Sequence, residues 1–331
     1  MLRRLLAIAF GAVLCLAVPA HADSDMFKGK TITYIVATGA GGGYDAYGRL
    51  IARYLQKHLT GSRVIVRNVP GAGHIVGANT LYASRPDGLT IGSFNTGLIY
   101  DQLIQREGVL FDLAKFGWIG KAANDTRALL IANNSGFKSF EDLRNSKVPV
   151  RFAASGVGAA DYVETRILAS ALHVNVQIIP GFTGNAGEMS MLRKEVFAKV
   201  ATVDSMEDFV RDGHGFWALA LSGDASALPG VPRAMSFAKD DRVRRLLSLV
   251  DTLSEIGRLT AGPPGMSRDV LAVERDAYDA VMKDPEFLTD AKRLMLPISP
   301  ASGSVVEAKI NQALAQPPET IAFLKAAALG H

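Results

Sequence analysis

Two glycine-rich stretches of this chain follow strand-like runs and precede helix-like ones. The first extends from Thr38 to Tyr44 and holds Gly41, Gly42 and Gly43, directly after the apolar run Thr31–Ala37. Glycine allows a tight turn and a close approach to the backbone because it has no Cβ. Since a helix N-terminus presents free N–H groups and the positive end of its dipole, this stretch predicts a site for a carboxylate or phosphate. An ordinary tight strand-to-helix connection explains a single such loop equally well.

The second glycine-rich stretch lies near the middle of the chain and repeats the pattern. It reads Ser155-Gly156-Val157-Gly158-Ala159-Ala160, between the strand-like run Val150–Ala153 and a segment with apolar residues at helical spacing. Ligands of open α/β sheets bind beyond the carboxyl ends of strands and often between domains. Two such loops facing each other would hold a small anion from both ends, so the duplication is more informative than either loop alone.

Strand-like and helix-like segments alternate along most of the chain, which predicts α/β architecture with mainly parallel sheets covered by helices. The predicted strands after Thr31–Ala37 are Val64–Arg67, Leu89–Ser93, Ala128–Ala132, Val150–Ala154, Val176–Ile179, Phe197–Val203 and Trp217–Leu221. The predicted helices include His74–Ala83, Asp269–Met282, Pro285–Leu294, Ser302–Ala315 and Pro318–Ala328. Another helix is predicted to open at Ser139, with Asp142 three residues later, as in a variant capping box.

Residues 1–22 have the three parts of a secretory signal peptide. Two arginines near the start precede the apolar run Leu5–Val18, and Ala20-His21-Ala22 forms a cleavage site before Asp23. The only cysteine, Cys15, lies in this segment, so the mature chain would have neither disulfides nor thiolate chemistry. We therefore expect export to the periplasm and a soluble mature protein.

Charge and composition argue against several classes of partner. The chain has 36 Lys and Arg residues against 32 Asp and Glu, and loss of Arg3 and Arg4 with the signal would leave 34 basic residues. No basic run with interleaved aromatic residues occurs, so nucleic acid is not an expected partner. Roughly 300 residues would remain after cleavage, which is enough for two domains with separate cores.

Three motifs in the first third of the chain resemble the Bug receptors, the periplasmic substrate-binding proteins of tripartite tricarboxylate transporters. Val36–Asp45 followed by Arg49 is similar to the family pattern V-P-F-P-P-G-G-x-x-D-x-x-A-R. Val64–Gly73 is similar to V-V-V-E-N-R-P-G-A-G-G, and Arg85–Thr90 continues the likeness. The three motifs occur in the family's order and spacing, and the middle glycine stretch matches less tightly.

The resemblance implies an α/β, two-lobed periplasmic-binding-protein fold of the Venus-flytrap kind, type II. Lobe 1 would comprise residues 23–124 plus 235–331, with the C-terminal helices packed back onto it, and lobe 2 residues 125–234. The two lobes would close over a small carboxylate. The implied protein is a monomeric receptor without catalytic residues, metal or cofactor, which delivers its ligand to the membrane permease subunits of a tripartite transporter.

The resemblance also assigns ligand-binding positions. In lobe 1 these are Thr38, Gly41, Gly42, Gly43, Tyr44, Gly71, Ala72, Gly73, His74, Asn95 and Thr96. In lobe 2 they are Ser155, Gly156, Val157, Gly158, Ala159, Ala160, Phe182 and Asp204. Ala154 and Ala159 stand where the family often has hydroxyl residues. We therefore expect a looser, more apolar second half-site, for which a monocarboxylate or an aromatic or long-chain acid is as suitable as citrate.

Some of these side chains have structural explanations as well. Asp45 lies in the first turn of its helix, where it complements the helix dipole, and this explains it better than ligand contact does. Asp204 is equally suited to cap a helix that begins at Ser205. Aromatic residues such as Phe182 pack in cores more often than against ligands, and the same default applies to an isolated histidine such as His74.

Other functions have weaker support in the sequence. Gly41–Ala46 satisfies the dinucleotide pattern G-x-G-x-x-A, but the next strand ends in Arg67-Asn68 and not in the acidic residue that would bind a ribose. No G-x-S-x-G motif occurs, and the histidines lack metal-ligand spacing. A receptor that feeds a sensor kinase remains an alternative to transport, because lobe closure would serve both by a population shift.

Overall fold

The computed structural model describes residues 24–223 and 225–329, so the predicted signal peptide lies outside the described residues. Its strands are β1 (Thr31–Val36), β2 (Arg63–Asn68), β3 (Thr90–Ser93), β4 (Gly117–Lys121), β5 (Arg127–Ala132), β6 (Val150–Ala154), β7 (Val176–Pro180), β8 (Ala198–Thr202), β9 (Gly215–Ala220), β10 (Leu259–Gly262) and β11 (Ala301–Ser302). Its helices are α1 (Gly43–His58), α2 (Ile75–Tyr82), α3 (Gly97–Leu103), α4 (Phe140–Arg144), α5 (Ala160–Leu172), α6 (Ala186–Leu192), α7 (Glu207–Arg211), α8 (Asp241–Ser254), α9 (Arg268–Lys283), α10 (Pro285–Arg293), α11 (Gly303–Leu314) and α12 (Pro318–Leu329).

The strands form two sheets, with the orders β11-β4-β10-β3-β1-β2 and β7-β6-β8-β5-β9. In the first sheet β1 is parallel to β2 and β3, whereas β10 is antiparallel to β3 and β4. In the second, β6 is parallel to β7 and β8, whereas β5 is antiparallel to β8 and β9. The α/β class is therefore confirmed, but the expectation of mainly parallel sheets is wrong. The chain leaves the first sheet through β4 and returns through β10, and strands running in opposite directions must pair antiparallel.

The strand predictions agree with the structure to within two residues for β1, β2, β3 and β5–β9, and the predicted C-terminal helices agree to within one. Ser139 is the predicted helix cap, since its Oγ accepts the N–H of Asp142 at 3.1 Å. Strands β4, β10 and β11 and helix α8 were not predicted. Strands β4 and β10 both contain glycine, which lowers the strand propensity of their sequences. Pairing with the neighbouring strands therefore determines their conformation.

Two chain segments run side by side between the sheets. Residues 122–126 lead from β4 to β5, and residues 255–258 lead from α8 to β10. The N–H of Ala122 donates to the Arg258 carbonyl at 3.1 Å, and the N–H of Asp125 donates to the Ser254 carbonyl at 2.7 Å. These bonds join the two crossings into one connection between the sheets.

The C-terminal helices are divided between the two sheets. Helices α9 and α11 pack on β4, and α10 packs on α1 and α9, as expected for helices that return to the first lobe. The last helix instead packs against α5 and α8, because Leu324 and Ala327 share a buried core with Leu168 and Leu172 of α5. Helix α12 thus contacts α5 of the predicted second lobe as well as α8 of the predicted first lobe, and the division into lobes at 124/125 and 234/235 stays a prediction.

Glu274 of α9 is a buried carboxyl group with an unusual environment. It is fully buried, and neither of its carboxyl oxygens has a hydrogen-bond partner among the described residues. Burial raises the pKa of this group from its usual 4.5 to about 8, because an apolar environment disfavours the charged form. The folded protein therefore holds a proton here at neutral pH that the unfolded chain releases.

We predict that Glu274→Gln removes part of the pH dependence of stability. Between pH 4.5 and 8 the unfolded chain is ionised at this position and the folded protein is not, so rising pH favours unfolding by about 1.4 kcal/mol per pH unit from this group. The variant should gain stability relative to the wild type as pH rises from 5 to 8, measured by urea denaturation. A constant difference between the two proteins over this range would contradict the prediction.

Candidate functional site

A cavity of about 80 Å³ lies between the two sheets, several times the volume that one water molecule needs. The first sheet and its helices contribute Thr38, Gly42, Gly43, Tyr44, His74 and Asn95. The crossing segment and the second sheet contribute Asp125, Arg127, Ser155, Ala160, Asp161, Gly184, Glu188, Lys199, Val200, Ala201, Thr202 and Ser205. The cavity therefore accepts a small molecule that both halves of the protein contact.

The N-termini of two long helices meet at this cavity. Helix α1 begins at Gly43 after the cap residue Gly42, and helix α5 begins at Ala160 after Ala159. Gly42, Gly43 and Ala160 line the cavity, so the first turns of both helices face it from opposite sides. The first N–H groups of a helix have no intrahelical partner, and the helix dipole favours negative charge beside them. This arrangement suits an anion held between the two halves.

Each glycine stretch also carries a carboxylate of its own. Asp45 Oδ2 accepts the N–H of Gly41 at 3.0 Å and the Nε–H of Arg49 at 2.9 Å. Asp161 Oδ2 accepts the N–H of Ser155 at 2.8 Å and its hydroxyl at 2.7 Å. The predicted donors Gly41 and Ser155 are thus already occupied within their own loops. Asp45 acts inside its loop, in agreement with the structural explanation of this residue.

Several glycines allow the two halves to touch through their backbones. A Cβ on Gly156 would lie 2.7 Å from the Gly73 nitrogen, and a Cβ on Gly73 would lie 2.6 Å from the Ala159 nitrogen. A Cβ on Gly42 would lie 3.2 Å from Gly184 Cα. Of these four glycines, Gly73 and Gly156 do not line the main cavity. Because Gly73 and Gly156 have no side chain, the backbones of the two halves can contact each other across the cleft. The sequence analysis did not predict this role.

The Pro-Gly-Ala-Gly segment lies beside the main cavity. Gly71, Ala72, Gly73 and His74 line a neighbouring cavity of about 30 Å³ together with Thr38, Ser155 and Thr183. His74 also reaches the main cavity and contacts the Tyr44 ring edge-on at 5.4 Å between centroids. Burial lowers the pKa of His74 to about 4, so this residue is neutral at neutral pH and adds no positive charge.

The remaining predicted site residues lie elsewhere. The positions that line neither cavity are Gly41, Thr96, Gly156, Val157, Gly158, Ala159, Phe182 and Asp204. Val157 is exposed, and Phe182 packs at the edge of a small apolar cluster that includes Met191. Thr96 is the buried cap residue of α3. Sequence proximity to a glycine loop does not fix which side chains reach the cavity, and ligand contact at these eight positions stays a prediction.

The second half-site is more strongly charged than predicted. Arg127, Asp161, Glu188 and Lys199 line it, so the expectation of an apolar half-site is wrong. A usable signal was Lys199, which interrupts the otherwise uncharged, buried strand β8. Among the described residues, no group of three His, Cys, Asp or Glu side chains is placed to hold a metal ion.

Arg127 lines the cavity but is already paired. It is buried, its Nε–H donates to Glu164 Oε2 at 2.8 Å, and its Nη1–H donates to Thr202 Oγ1 at 2.9 Å. The Glu164 carboxylate neutralises the guanidinium, so Arg127 shapes the wall of the cavity and brings little free charge.

Arg258 connects the crossing segment with both halves beside the cavity. Its side chain is 1% exposed, and its Nη2 donates to both oxygens of Asp204 at 2.9 Å. Its Nε lies 3.4 Å from Asp125 Oδ1, and the guanidinium carbon lies 4.4 and 4.8 Å from the ring centroids of Tyr44 and Tyr47. Asp204 therefore pairs with Arg258, and it neither contacts the cavity nor provides a side-chain helix cap.

The two sheets, with a cleft between them, form a two-lobed α/β fold. The sequence profile described as the tripartite tricarboxylate transporter family receptor, TctC, matches residues 48–289. The chain belongs to this family. The matched region begins after the first glycine stretch, so the family relationship does not depend on that motif.

Individual relatives extend over most of the chain. A UPF0065 protein of Bordetella pertussis is 31% identical over 87% of this chain and 86% of its own length. The structure of the periplasmic binding protein BugD has a TM-score of 0.75 at 21% identity, covering 90% of this chain and 97% of that one. The structure of MatC from Rhodopseudomonas palustris with bound malate has a TM-score of 0.72 at 17% identity, covering 90% and 98%. No helix within the described residues is long and apolar enough to cross a membrane.

We predict that Arg258→Ala strongly destabilises the protein. The substitution leaves Asp125 and Asp204 buried without their shared cation, and breaking a buried pair in this way costs about 3–5 kcal/mol. The measurement is the free energy of unfolding from denaturant titration. Arg244→Ala, which removes an exposed ion pair with Asp241, is the control and should have a much smaller effect. Equal losses for the two variants would contradict the role given to Arg258.

We predict that Gly156→Leu holds the two halves apart. The backbone of Gly156 is not in the left-handed region, so leucine is tolerated locally, but its Cβ would clash with the Gly73 backbone across the cleft. Small-angle X-ray scattering should show a larger radius of gyration with unchanged circular dichroism. Val157→Leu changes an exposed neighbour and should scatter as the wild type does. An unchanged radius for Gly156→Leu would refute the proposed contact.

Proposed function

We propose that the protein is a periplasmic receptor that binds a small organic carboxylate and delivers it to the membrane subunits of a tripartite tricarboxylate-type transporter. The observation that carries the proposal is the convergence of the α1 and α5 N-termini on one cavity between the halves. Family membership and the malate in the structure of MatC agree with it. A further structural relative from R. palustris, with a TM-score of 0.73, is described with adipate, which is also a dicarboxylate.

The first half of the protein offers the primary carboxylate site. The turn at Gly42 and Gly43 brings the first N–H groups of α1 to the cavity, and Thr38 and Asn95 add polar side chains at its edge. A carboxylate placed here would accept hydrogen bonds from these groups and interact favourably with the helix dipole. The second half then closes over the ligand, and a ligand that contacts both halves shifts the population toward the closed state.

The receptor is proposed to release its ligand unchanged. Two carboxylates that line the cavity already have partners, which leaves them poorly suited to proton transfer. The Tyr44 hydroxyl donates to Asp125 at 2.8 Å, and Ser155 donates twice to Asp161. A receptor of this kind needs differential affinity for open and closed states and no chemical step.

A thermal-shift series tests the proposed function. We expect citrate, malate, succinate, adipate or butyrate, added to the mature protein, to raise the melting temperature with increasing concentration, because a ligand that binds only the folded state stabilises it by mass action. Sodium sulfate at matched ionic strength and glycerol are the controls. The proposal fails if no acid shifts the transition beyond sulfate, or if nuclear magnetic resonance shows conversion of a bound acid.

A further inference from the structure

Lys199 is a buried cation without a protein partner among the described residues. It lies on β8, its exposed fraction is 8%, and it lines the main cavity. No hydrogen bond or ion pair joins its ammonium group to any of the residues that the structure describes. The ammonium lies beside α6, since a Cβ placed on Gly187 would be 3.3 Å from Nζ. A cation that lines a cavity and has no counter-charge among the described residues is suited to bind an anion from outside the chain.

Glu188 is an acidic residue near Lys199 that has no hydrogen-bond donor among the described residues. It directly follows Gly187 in the first turn of α6 and also lines the cavity. Its Oε2 is buried and accepts no hydrogen bond from any described residue. Glu188 and Lys199 do not pair with each other, so one unmatched acceptor and one unmatched cation remain beside the same turn of α6.

The other charged groups of the cavity already have partners. Arg127 is bound by Glu164, Asp125 by Tyr44 and Arg258, and Asp161 by Ser155. Lys199 and Glu188 therefore differ from the other charged residues that line the cavity, because they have no partner among the described residues. A ligand that meets both of them must present a negative group and a hydrogen-bond donor close together.

We propose that Lys199 and Glu188 determine ligand specificity, with Lys199 binding a second carboxylate and Glu188 accepting a hydrogen bond from an adjacent amine or hydroxyl. The inference rests on the proposed function, which places the first carboxylate at the N-terminus of α1. The receptor then selects amino- or hydroxy-dicarboxylic acids. Monocarboxylic acids, aromatic ones included, leave the Lys199 ammonium without a partner.

A series of four-carbon acids tests the role of Lys199 by isothermal titration calorimetry. Butyrate and succinate differ only in the second carboxylate, so the ratio of their affinities measures its recognition. We expect the wild type to favour succinate and Lys199→Met to lose about tenfold or more of that preference, because hydrogen bonds to charged groups are of this strength. Butyrate affinity should be unchanged in the variant. Lys147→Met, at an exposed lysine of the same half, should behave as the wild type does.

Malate and aspartate test the role of Glu188, because they add a hydroxyl or an amine to the succinate skeleton. We expect the wild type to bind at least one of them more tightly than succinate, and Glu188→Gln to lose this advantage without weakening succinate. A greater loss for aspartate identifies an ammonium as the donor, and a greater loss for malate identifies a hydroxyl.

Two failures are distinguishable. If acids bind but Lys199→Met keeps the wild-type ratio of succinate to butyrate affinity, the assignment of Lys199 is wrong and the proposed function stands. A preserved malate and aspartate advantage in Glu188→Gln overturns the assignment of Glu188 in the same way. If no acid binds the wild type, the proposed function and this inference both fall. Circular dichroism and melting temperatures of the variants without ligand establish that each is folded.

Discussion

The site depends on the buried guanidinium of Arg258. A charge removed from water is unfavourable unless it is paired, and here the pairing groups come from different parts of the chain. Asp125 lies on one crossing segment, Asp204 lies beyond β8, and the rings of Tyr44 and Tyr47 belong to α1. These contacts form together only when the crossing segments and the two halves have the observed arrangement. The same cluster holds Tyr44 at the wall of the cavity, so the geometry of the site and the pairing of this charge are linked.

The glycine loops have two tasks that the structure separates. Gly42 and Gly43 turn the chain into α1 and line the cavity, whereas Gly73 and Gly156 allow the opposing backbones to meet. Asp45 and Asp161 accept the N–H groups of Gly41 and Ser155, so each loop is ordered by its own carboxylate before any ligand arrives. The positive character of the cavity then comes from three features. The N-terminus of α1 lies in the first half, and the N-terminus of α5 and Lys199 lie in the second.

Elements with a strong local pattern could be predicted from the sequence, and elements formed by their surroundings could not. The β-branched run of β1 and the amphipathic spacing of α1 carry their own signals, and the structure agrees with both. Strand β10 has four residues, ends in Gly262 and pairs on both sides with strands distant in sequence. The glycine loops were found for the same local reason, but Val157 is exposed and Phe182 packs beside an apolar cluster, which no local pattern indicates.

The sequence by itself determined the α/β class, the family and the two strand–glycine–helix units, because each of these is encoded in short runs of residue types and their spacing. Only the tertiary structure decided which groups are left without partners. Arg127 and Lys199 are both cations on strands next to the cavity, yet one is neutralised by Glu164 and the other has no such partner among the described residues. Pairing of this kind depends on distances between residues far apart in the chain, and those distances exist only once the two halves have come together.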